Sequence, residues 1–471
     1  MNRFLVFIGI FSSFFWACEN APTQQAKQPN IVFLLADDMG YGDFEMIGGA
    51  TKTPNLNRLA NEGLIFSNFY AAGPNCSPSR TGLMTGKSPA KVGMYSYRPP
   101  NHPLHLPDHE VTLAELLKTK GYQTAHFGKW HLGELRHDSE LQHPQPHEQG
   151  FDYSLGTENN AEPSHLNPVN FVRNGKNLGV VEGYSCQIVA DECMNWLDQK
   201  SNAPFFAYVA FHEPHVKVAS PPELVNRYAG LPIKEAEYLA NIDHLDTAIG
   251  RILDYLEQND LMENTIILFS SDNGSYRLAS NAGLKAVKSF LYEGGIKVPA
   301  IVRWPGIKAK QKIIDTPTGL VDVVPTLCEI VDIEPPQGLD GTSFLPLLKG
   351  TDFHRERPLY WFFYRTSPEI AMRIGNHMIL GLDHDTIPRP HRFSQDDYEY
   401  LKKIKLQDYE LYDLSQDFSQ ENDLFDTHPK KDSLKALLDN QLTEIKSNLY
   451  PWKDLPLNLE KRKKKKDWVR Y

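Results

Sequence analysis

Two pairs of oxygen-rich side chains follow apolar runs. Asp37-Asp38 comes after IVFLLA (Ile31 to Ala36), and Asp272-Asn273 comes just after TIILFS (Thr265 to Ser270). Each pair alone reads as a solvated turn, because Asp, Asn and Gly favour turns. Together they offer several hard oxygen donors, which suits Ca²⁺. The sequence does not offer the Cys- or His-rich cluster that zinc takes. A third apolar run, PFFAYVAF (Pro204 to Phe211), leads into the ionisable His212-Glu213-Pro214-His215. Cys76 heads CSPSRTGLMTGK, which read without context is a loop carrying a free thiol.

The elements around these residues form a pattern. The three apolar runs read as buried parallel strands, each ending in polar, ionisable residues. Between them lie amphipathic helices. TPNLNRLANEG has Thr53 to cap, Pro54 for the first turn and Gly63 to end it. TLAELLKTKG has Thr112 and Glu115 spaced as a capping box. AEYLANIDHLDTAIGRILDYLEQND carries Leu239, Ile242, Ile249, Leu253 and Leu256 on one face. Alternating strands and helices predict an α/β fold with a mainly parallel central sheet flanked by helices. In such sheets ligands sit at the carboxyl ends of the strands.

Beyond about residue 350 the character changes. LYWFFYR (Leu359 to Arg365), MRIGNHMIL and YELYDL read as short antiparallel strands, and Asp432 to Leu449 as a closing helix. The expected organisation is a signal segment over 1–17, a tether over 18–28, a catalytic domain over 29–350, and a smaller C-terminal α+β subdomain over 351–471. The last ends in the basic tail KRKKKK, read as a solvated end. LYWFFYR reads as a buried strand rather than a sugar-stacking surface.

A chain of 471 residues with 41% hydrophobic residues can bury a large core without staples. Its net charge of -10 does not favour a polyanionic partner such as nucleic acid, so an anionic substrate needs local cations. Cys186 and Cys193 fall on one predicted helix, roughly 10 Å apart along its axis, too far for a disulfide. They and Cys328 read as buried small hydrophobes. Arg3 and the run Phe4 to Ala17 form an export signal too short to span a membrane comfortably. Cys18 right after it resembles a lipobox, although Phe15 and Trp16 stand where smaller or aliphatic residues are usual. The expected location is therefore the periplasm or cell surface, with the membrane reached only through an N-terminal lipid anchor.

The segment at Cys76 resembles the signature of the formylglycine-dependent sulfatases of the alkaline-phosphatase-like superfamily: Cys-x-Pro-Ser-Arg, then Thr-Gly. Here these are Cys76, Pro78, Ser79, Arg80, Thr85 and Gly86. GYQTAHFGKWHLG (Gly121 to Gly133) is similar to the family's second signature. PNIVFLLADDMGYGD, FHEPH, SDNG, LYEGGIKVPAIVRWPG and LDGTSFLPLLKG continue the likeness in order, from about Pro29 to Leu424.

The resemblance implies hydrolysis of sulfate monoesters on a sulfated carbohydrate, with Cys76 oxidised to formylglycine by a separate maturation enzyme. It implies one Ca²⁺ held by Asp37, Asp38, Asp272, Asn273 and residue 76. Arg80 would orient residue 76, Lys129, His131 and Lys288 would hold sulfate oxygens, and His215 would sit at the leaving oxygen. His212 has a supporting role, a substrate-contacting one or a packing one. A hydrated aldehyde explains the residue choice: one hydroxyl attacks sulfur, and the other lets the sulfated enzyme expel sulfate by re-forming the carbonyl. Around the lysine the family often has Arg-Gly-Gly-Lys-Gly, whereas here the segment is Leu284-Lys285-Ala286-Val287-Lys288-Ser289. Lys288 takes the lysine's place, with Lys285 as the alternative. Two competing readings are a phosphoester hydrolase of the same superfamily and an inactive carbohydrate-binding relative.

Overall fold

Ile31, Phe33 and Leu35 pack into one buried cluster and Val32, Leu34 and Ala36 into another. Alternation along a strand sends neighbours to opposite faces, so a strand apolar at every position is covered on both. This is β1 (Asn30–Asp37), all of it buried. In a computed structural model, residues 28–135, 141–307, 312–364, 369–384, 393–453 and 455–456 are described. The apolar run before Cys18, Cys18 itself and the KRKKKK tail lie outside them. Among the described residues, no helix is long and apolar enough to cross a membrane.

The strands that follow are β2 (Leu64–Tyr70), β3 (Gln123–Lys129), β4 (Tyr153–Thr157), β5 (Val172–Arg173), β6 (Lys176–Asn177), β7 (Phe205–Pro214), β8 (Thr265–Ser271), β9 (Lys297–Arg303), β10 (Lys312–Ile314) and β11 (Thr318–Gly319). With β1 they form a sheet of eleven strands in the order β10-β2-β9-β8-β1-β7-β3-β4-β5-β6, with β11 beside β2. The pairings of β1 with β7 and β8, of β3 with β7 and β4, and of β2 with β10 and β11 are parallel. β9 runs antiparallel between β2 and β8, and β5 and β6 are antiparallel at the far edge. The sheet is thus mainly parallel, as the sequence predicts.

Helices cover both faces. α1 (Pro54–Glu62), α4 (Ser185–Gln199) and α5 (Ile233–Gln258) bury Leu56, Val189, Ile242 and Ile249 against one side. α2 (Cys76–Thr85), α3 (Leu113–Lys118) and α6 (Val323–Ile330) bury Leu83, Leu117 and Leu327 against the other. The predicted capping box is present: Glu115 N–H donates to Thr112 Oγ1 at 3.2 Å, and Thr112 N–H to Glu115 Oε2 at 2.8 Å. Thr53 differs. It stands at the cap position of α1 but its hydroxyl makes no capping bond there and instead accepts from Glu45 N–H. The described cysteines Cys186, Cys193 and Cys328 are buried and free.

A second sheet, in the order β12-β13-β14-β15, is antiparallel: β12 (Leu359–Phe362), β13 (Ile370–Ile374), β14 (His377–Leu382) and β15 (Asp408–Asp413). α7 (Lys431–Ser447) lays Leu434, Leu438, Leu442 and Ile445 into the core beside it. Trp361, Phe362, Phe363 and Tyr364 are buried, so this segment packs rather than facing a ligand.

Register places the site. Leu35 lies beside Ala210 of β7 and Ser270 of β8, and Gly128 of β3 is also beside Ala210. The carboxyl ends of β1, β3, β7 and β8 therefore finish at one edge, level with one another.

Candidate active site

Chain segments far apart in sequence deliver charge to that edge. Asp37 ends β1. Asp38 follows it with φ 66°, a left-handed conformation that Asp tolerates better than most side chains. The turn brings both carboxylates to Cys76: Sγ lies 3.4 Å from Asp37 Oδ1 and 3.8 Å from Asp38 Oδ1. Asp272 follows β8 and accepts from Asp38 N–H at 3.1 Å and from Arg80 Nε at 2.9 Å.

Cys76 is not in a loop, as the bare segment suggests, but begins α2, and every residue of α2 is buried. Pro78 falls in the first turn, where its missing N–H costs nothing. Thr81 and Thr85 donate to carbonyls four residues back, at 2.8 Å each, so their hydroxyls are satisfied inside the helix. One turn on from Cys76, Arg80 is fully buried. It donates to Asp272 and, through Nη1, to the Lys129 carbonyl at 2.7 Å.

The lysines complete the charge balance. Lys129 Nζ meets Asp37 Oδ2 at 2.7 Å. Lys288 Nζ meets Asp38 Oδ1 at 2.7 Å and Cys76 Sγ at 3.2 Å. Lys285 goes elsewhere: its Nζ donates to Tyr412 OH at 2.9 Å and lies over the Tyr292 ring. The structure thus brings Lys288, and not Lys285, to Cys76.

Electrostatics follow this packing. Burial would raise the Asp37 carboxyl, but Lys129, His215, Arg80 and Lys288 together hold it well below the usual range. Burial, reinforced by Asp37, pushes Asp272 up to about 6. Burial would lower Lys288, but Asp38 and Cys76 hold it well above the ordinary ammonium value. The Cys76 thiol is driven up by burial despite Lys129 and Lys288, so it stays protonated. A thiol held this way is a poor nucleophile.

Three histidines surround the cluster. His131 has φ 58°, and its Nε2 must be the donor to the Arg98 carbonyl at 3.0 Å, which leaves the buried Nδ1 without a partner. Burial, then Lys129 and Arg98, hold its pKa well below the ordinary value. His215 Nδ1 donates to the Val216 carbonyl at 2.7 Å, which turns Nε2 toward Asp38 Oδ2, 3.5 Å away. Burial pulls His215 down to about 4, with Asp38 opposing. His212 does not follow β7 but lies within it, because β7 continues to Pro214. Its Nε2 meets Thr157 Oγ1 at 2.8 Å, which ties the end of β7 to the end of β4.

Arg98 carries no sequence signal of its own. Buried completely, it pairs with Glu158 at 2.8 Å and donates its backbone N–H to Ser77 Oγ at 2.8 Å. It thereby links the first turn of α2 to His131. Tyr97, beside it, packs edge-on against the His131 ring.

The donors form a group that could hold a metal ion. Asp37, Asp38, Cys76 and His215 each bring a ligand atom within 4.8 Å of the others. Asn273 adds a second observation. Its amide nitrogen donates to Asp38 Oδ1 at 2.7 Å, while its buried Oδ1 has no partner. An orphaned buried oxygen is costly unless a cation or water meets it. Asp272 stands just behind, with both oxygens engaged by Asp38 N–H and Arg80.

Fold and site together define a hydrolase of the alkaline-phosphatase-like superfamily. More specifically, the chain belongs to the Sulfatase family: residues 29–333 match that family's profile, and residues 286–448 match the N-sulphoglucosamine sulphohydrolase C-terminal family. It is therefore a sulfuric ester hydrolase, which sets the phosphoester reading aside. Human N-acetylgalactosamine-6-sulfatase is 34% identical over 386 residues, covering 74% of this chain and 71% of its own. A Formosa agariphila protein named ulvan-active sulfatase is 31% identical over 360 residues, covering 71% and 67%. The crystal structure of Ps i-CgsB with k-i-k-neocarrahexaose is 26% identical with a TM-score of 0.74, covering 94% and 95%.

Proposed function

We propose that the protein removes sulfate from a sulfated carbohydrate by means of formylglycine formed at Cys76 and a bound Ca²⁺. The observation that carries this reading is the convergence on Cys76 Sγ of Lys288 Nζ at 3.2 Å and Asp37 Oδ1 at 3.4 Å. It occurs at the start of a buried helix that reads Cys-x-Pro-Ser-Arg.

Asp37, Asp38, Asp272 and Asn273 would hold the cation, which supplies neutralisation of charge on sulfate oxygens and favours the deprotonated nucleophile. Formylglycine supplies a hydrated carbonyl carbon with two hydroxyls, one for displacement at sulfur and one for release of sulfate. The chain's own residues do the rest. Arg80, tied to Asp272 and the Lys129 carbonyl, holds residue 76 one helical turn away. Lys129 and Lys288 present ammonium groups to the sulfate oxygens in a buried site, where such charge is most effective, and His131 would join them with Nδ1 protonated, which a bound anion favours. His215 offers Nε2 to the leaving oxygen, and an anionic ester beside it raises its affinity for the proton it gives up.

A sugar substrate is supported by the relatives' names and by the neocarrahexaose complex. The apolar N-terminal run and Cys18 support export with a lipid anchor, and a maturation enzyme is the partner that oxidation of Cys76 requires. A catalytic unit over 29–350 with a C-terminal subdomain over 351–471 is our division of the chain.

The test has two arms. The protein is made in a host with the maturation enzyme, the peptide containing residue 76 is weighed, and sulfate release is assayed across sulfated oligosaccharides. An unmodified cysteine in a fully active preparation would sink the mechanism. Formylglycine without turnover of any sulfate ester would favour the inactive, sugar-binding alternative.

A further inference from the structure

Among the described residues, the exposed aromatic side chains are Tyr276 and Phe418, 37% and 54% accessible. Tyr276 lies three residues beyond Asn273 and is held rigidly. Ser275, before it, accepts the Lys288 backbone N–H at 2.9 Å. The Tyr276 ring meets Tyr238 edge-on, centroids 6.1 Å apart. Tyr238 is itself buried, with its hydroxyl on Asp43 Oδ2 at 2.7 Å and Ser275 Oγ at 3.0 Å. Arg277 covers the Tyr238 ring at 4.4 Å and donates to the Lys234 carbonyl. The phenol is pushed up to about 12 by burial and then by Asp38, with Arg277 and then Lys288 opposing.

Leu278, two residues on, is 55% accessible, and Val216, next to His215, is 45% accessible. Exposed apolar side chains thus belong to the two segments that bear Asn273 and His215. A contiguous apolar patch left in water marks a binding surface. A sugar ring has this dual character, with an apolar C–H face and a polar edge.

We propose that Tyr276 is a specificity-determining residue: the sugar ring carrying the sulfate stacks its C–H face on the Tyr276 ring, with Val216 and Leu278 at the margins. This rests on the carbohydrate reading above and deepens it. Trp361, Phe362, Phe363 and Tyr364, all buried, cannot provide such a platform, and Tyr276 can. Preformed rigidity matters, because an aromatic ring already fixed by Tyr238 loses little freedom on binding.

The test compares Tyr276→Ala and Tyr276→Phe with the parent enzyme, all mature and calcium-loaded. The substrates are 4-nitrophenyl sulfate and the best-hydrolysed of a panel of ulvan and neocarra-type oligosaccharides. Tyr276→Ala should raise KM on the oligosaccharide by about five- to tenfold, the scale of one aromatic contact, with a smaller change on the aryl sulfate. Tyr276→Phe should keep the parent's KM on the oligosaccharide. Equal KM for Tyr276→Ala and the parent enzyme overturns the assignment, and so does a loss in Tyr276→Phe as large as in Tyr276→Ala, which would make the hydroxyl the contact. If the parent enzyme hydrolyses the aryl sulfate but no oligosaccharide, the carbohydrate reading falls and this proposal with it.

Discussion

Lys288 reaches Cys76: its Nζ lies 3.2 Å from the sulfur, while Lys285, three residues earlier, ends on the hydroxyl of Tyr412. Ala286 and Ser289, at φ 64° and 79°, take the left-handed turns that glycine would otherwise make. The backbone keeps the path needed to aim Lys288 inward even though the glycines are gone.

Replacing the two lysines separates their roles. Lys288→Ala should lower kcat on aryl and sugar sulfates alike by about 10²–10³, the scale of losing one preorganised charge contact. Lys285→Ala should stay within about twofold of the parent on both, and lose roughly 1 kcal/mol of stability with its contacts to Tyr412 and Tyr292. A dead Lys285→Ala beside an active Lys288→Ala would reverse the assignment.

Removing the Ca²⁺ proposed for this site should register in stability as well as in turnover. Asp37, Asp38 and Asp272 crowd one buried site, and a cation bound only by the folded state adds about 2.7 kcal/mol at a hundredfold excess over Kd. Chelation should lower Tm and abolish sulfate release, and Ca²⁺ should restore both. Recovery with Zn²⁺ alone would mean that the oxygen donors had been misread.

The leaving group reports on His215. A nitrophenolate departs without help and a sugar alkoxide does not. His215→Ala should therefore cut kcat far more on the sulfated sugar than on the aryl sulfate, whereas Lys288→Ala should not discriminate. Equal losses for His215→Ala on both substrates would remove its role as proton donor.

Glu293 gives a pH signature away from the chemistry. Buried and hydrogen-bonded by Tyr70 OH at 2.9 Å, it is pushed up to about 7 by burial, with Lys297 opposing. A carboxyl raised in the folded state binds protons there that the unfolded chain has already lost, so stability falls as pH rises from about 4.5 to about 7. Glu293→Gln should flatten this, gaining up to about 3 kcal/mol relative to the parent across that window. A stability difference that does not vary between pH 4.5 and 8 would refute the shift.

Much of this architecture was legible because burial leaves a plain mark. β1, β7 and β8 are unbroken apolar runs, and Thr112 with Glu115 announces a helix start. The ends were less clear. β7 carries His212 and Glu213 inside the strand, since neighbouring strands, not polarity, decide where a ladder stops. α2 hides because its Ser, Thr and Gly content suggests a loop, and what admits the helix to the interior, the Thr81 and Thr85 hydroxyls satisfied on their own backbone, leaves no periodic mark. Arg98, Tyr97 and Tyr276 left no pattern, because each owes its place to partners distant in the chain.

The burial of α2 has a consequence for the order of events in the protein's life. Cys76 is buried, as is every other residue of its helix, so a small ester group can be drawn to this depth but the strand-like grip of another enzyme cannot. Another enzyme cannot take this sulfur into its own active site once the sheet has closed. The oxidation proposed for Cys76 therefore has to run ahead of folding, on a chain still extended enough to be threaded. A molecule that folds first is locked as a thiol, and its only route to activity leads back through unfolding.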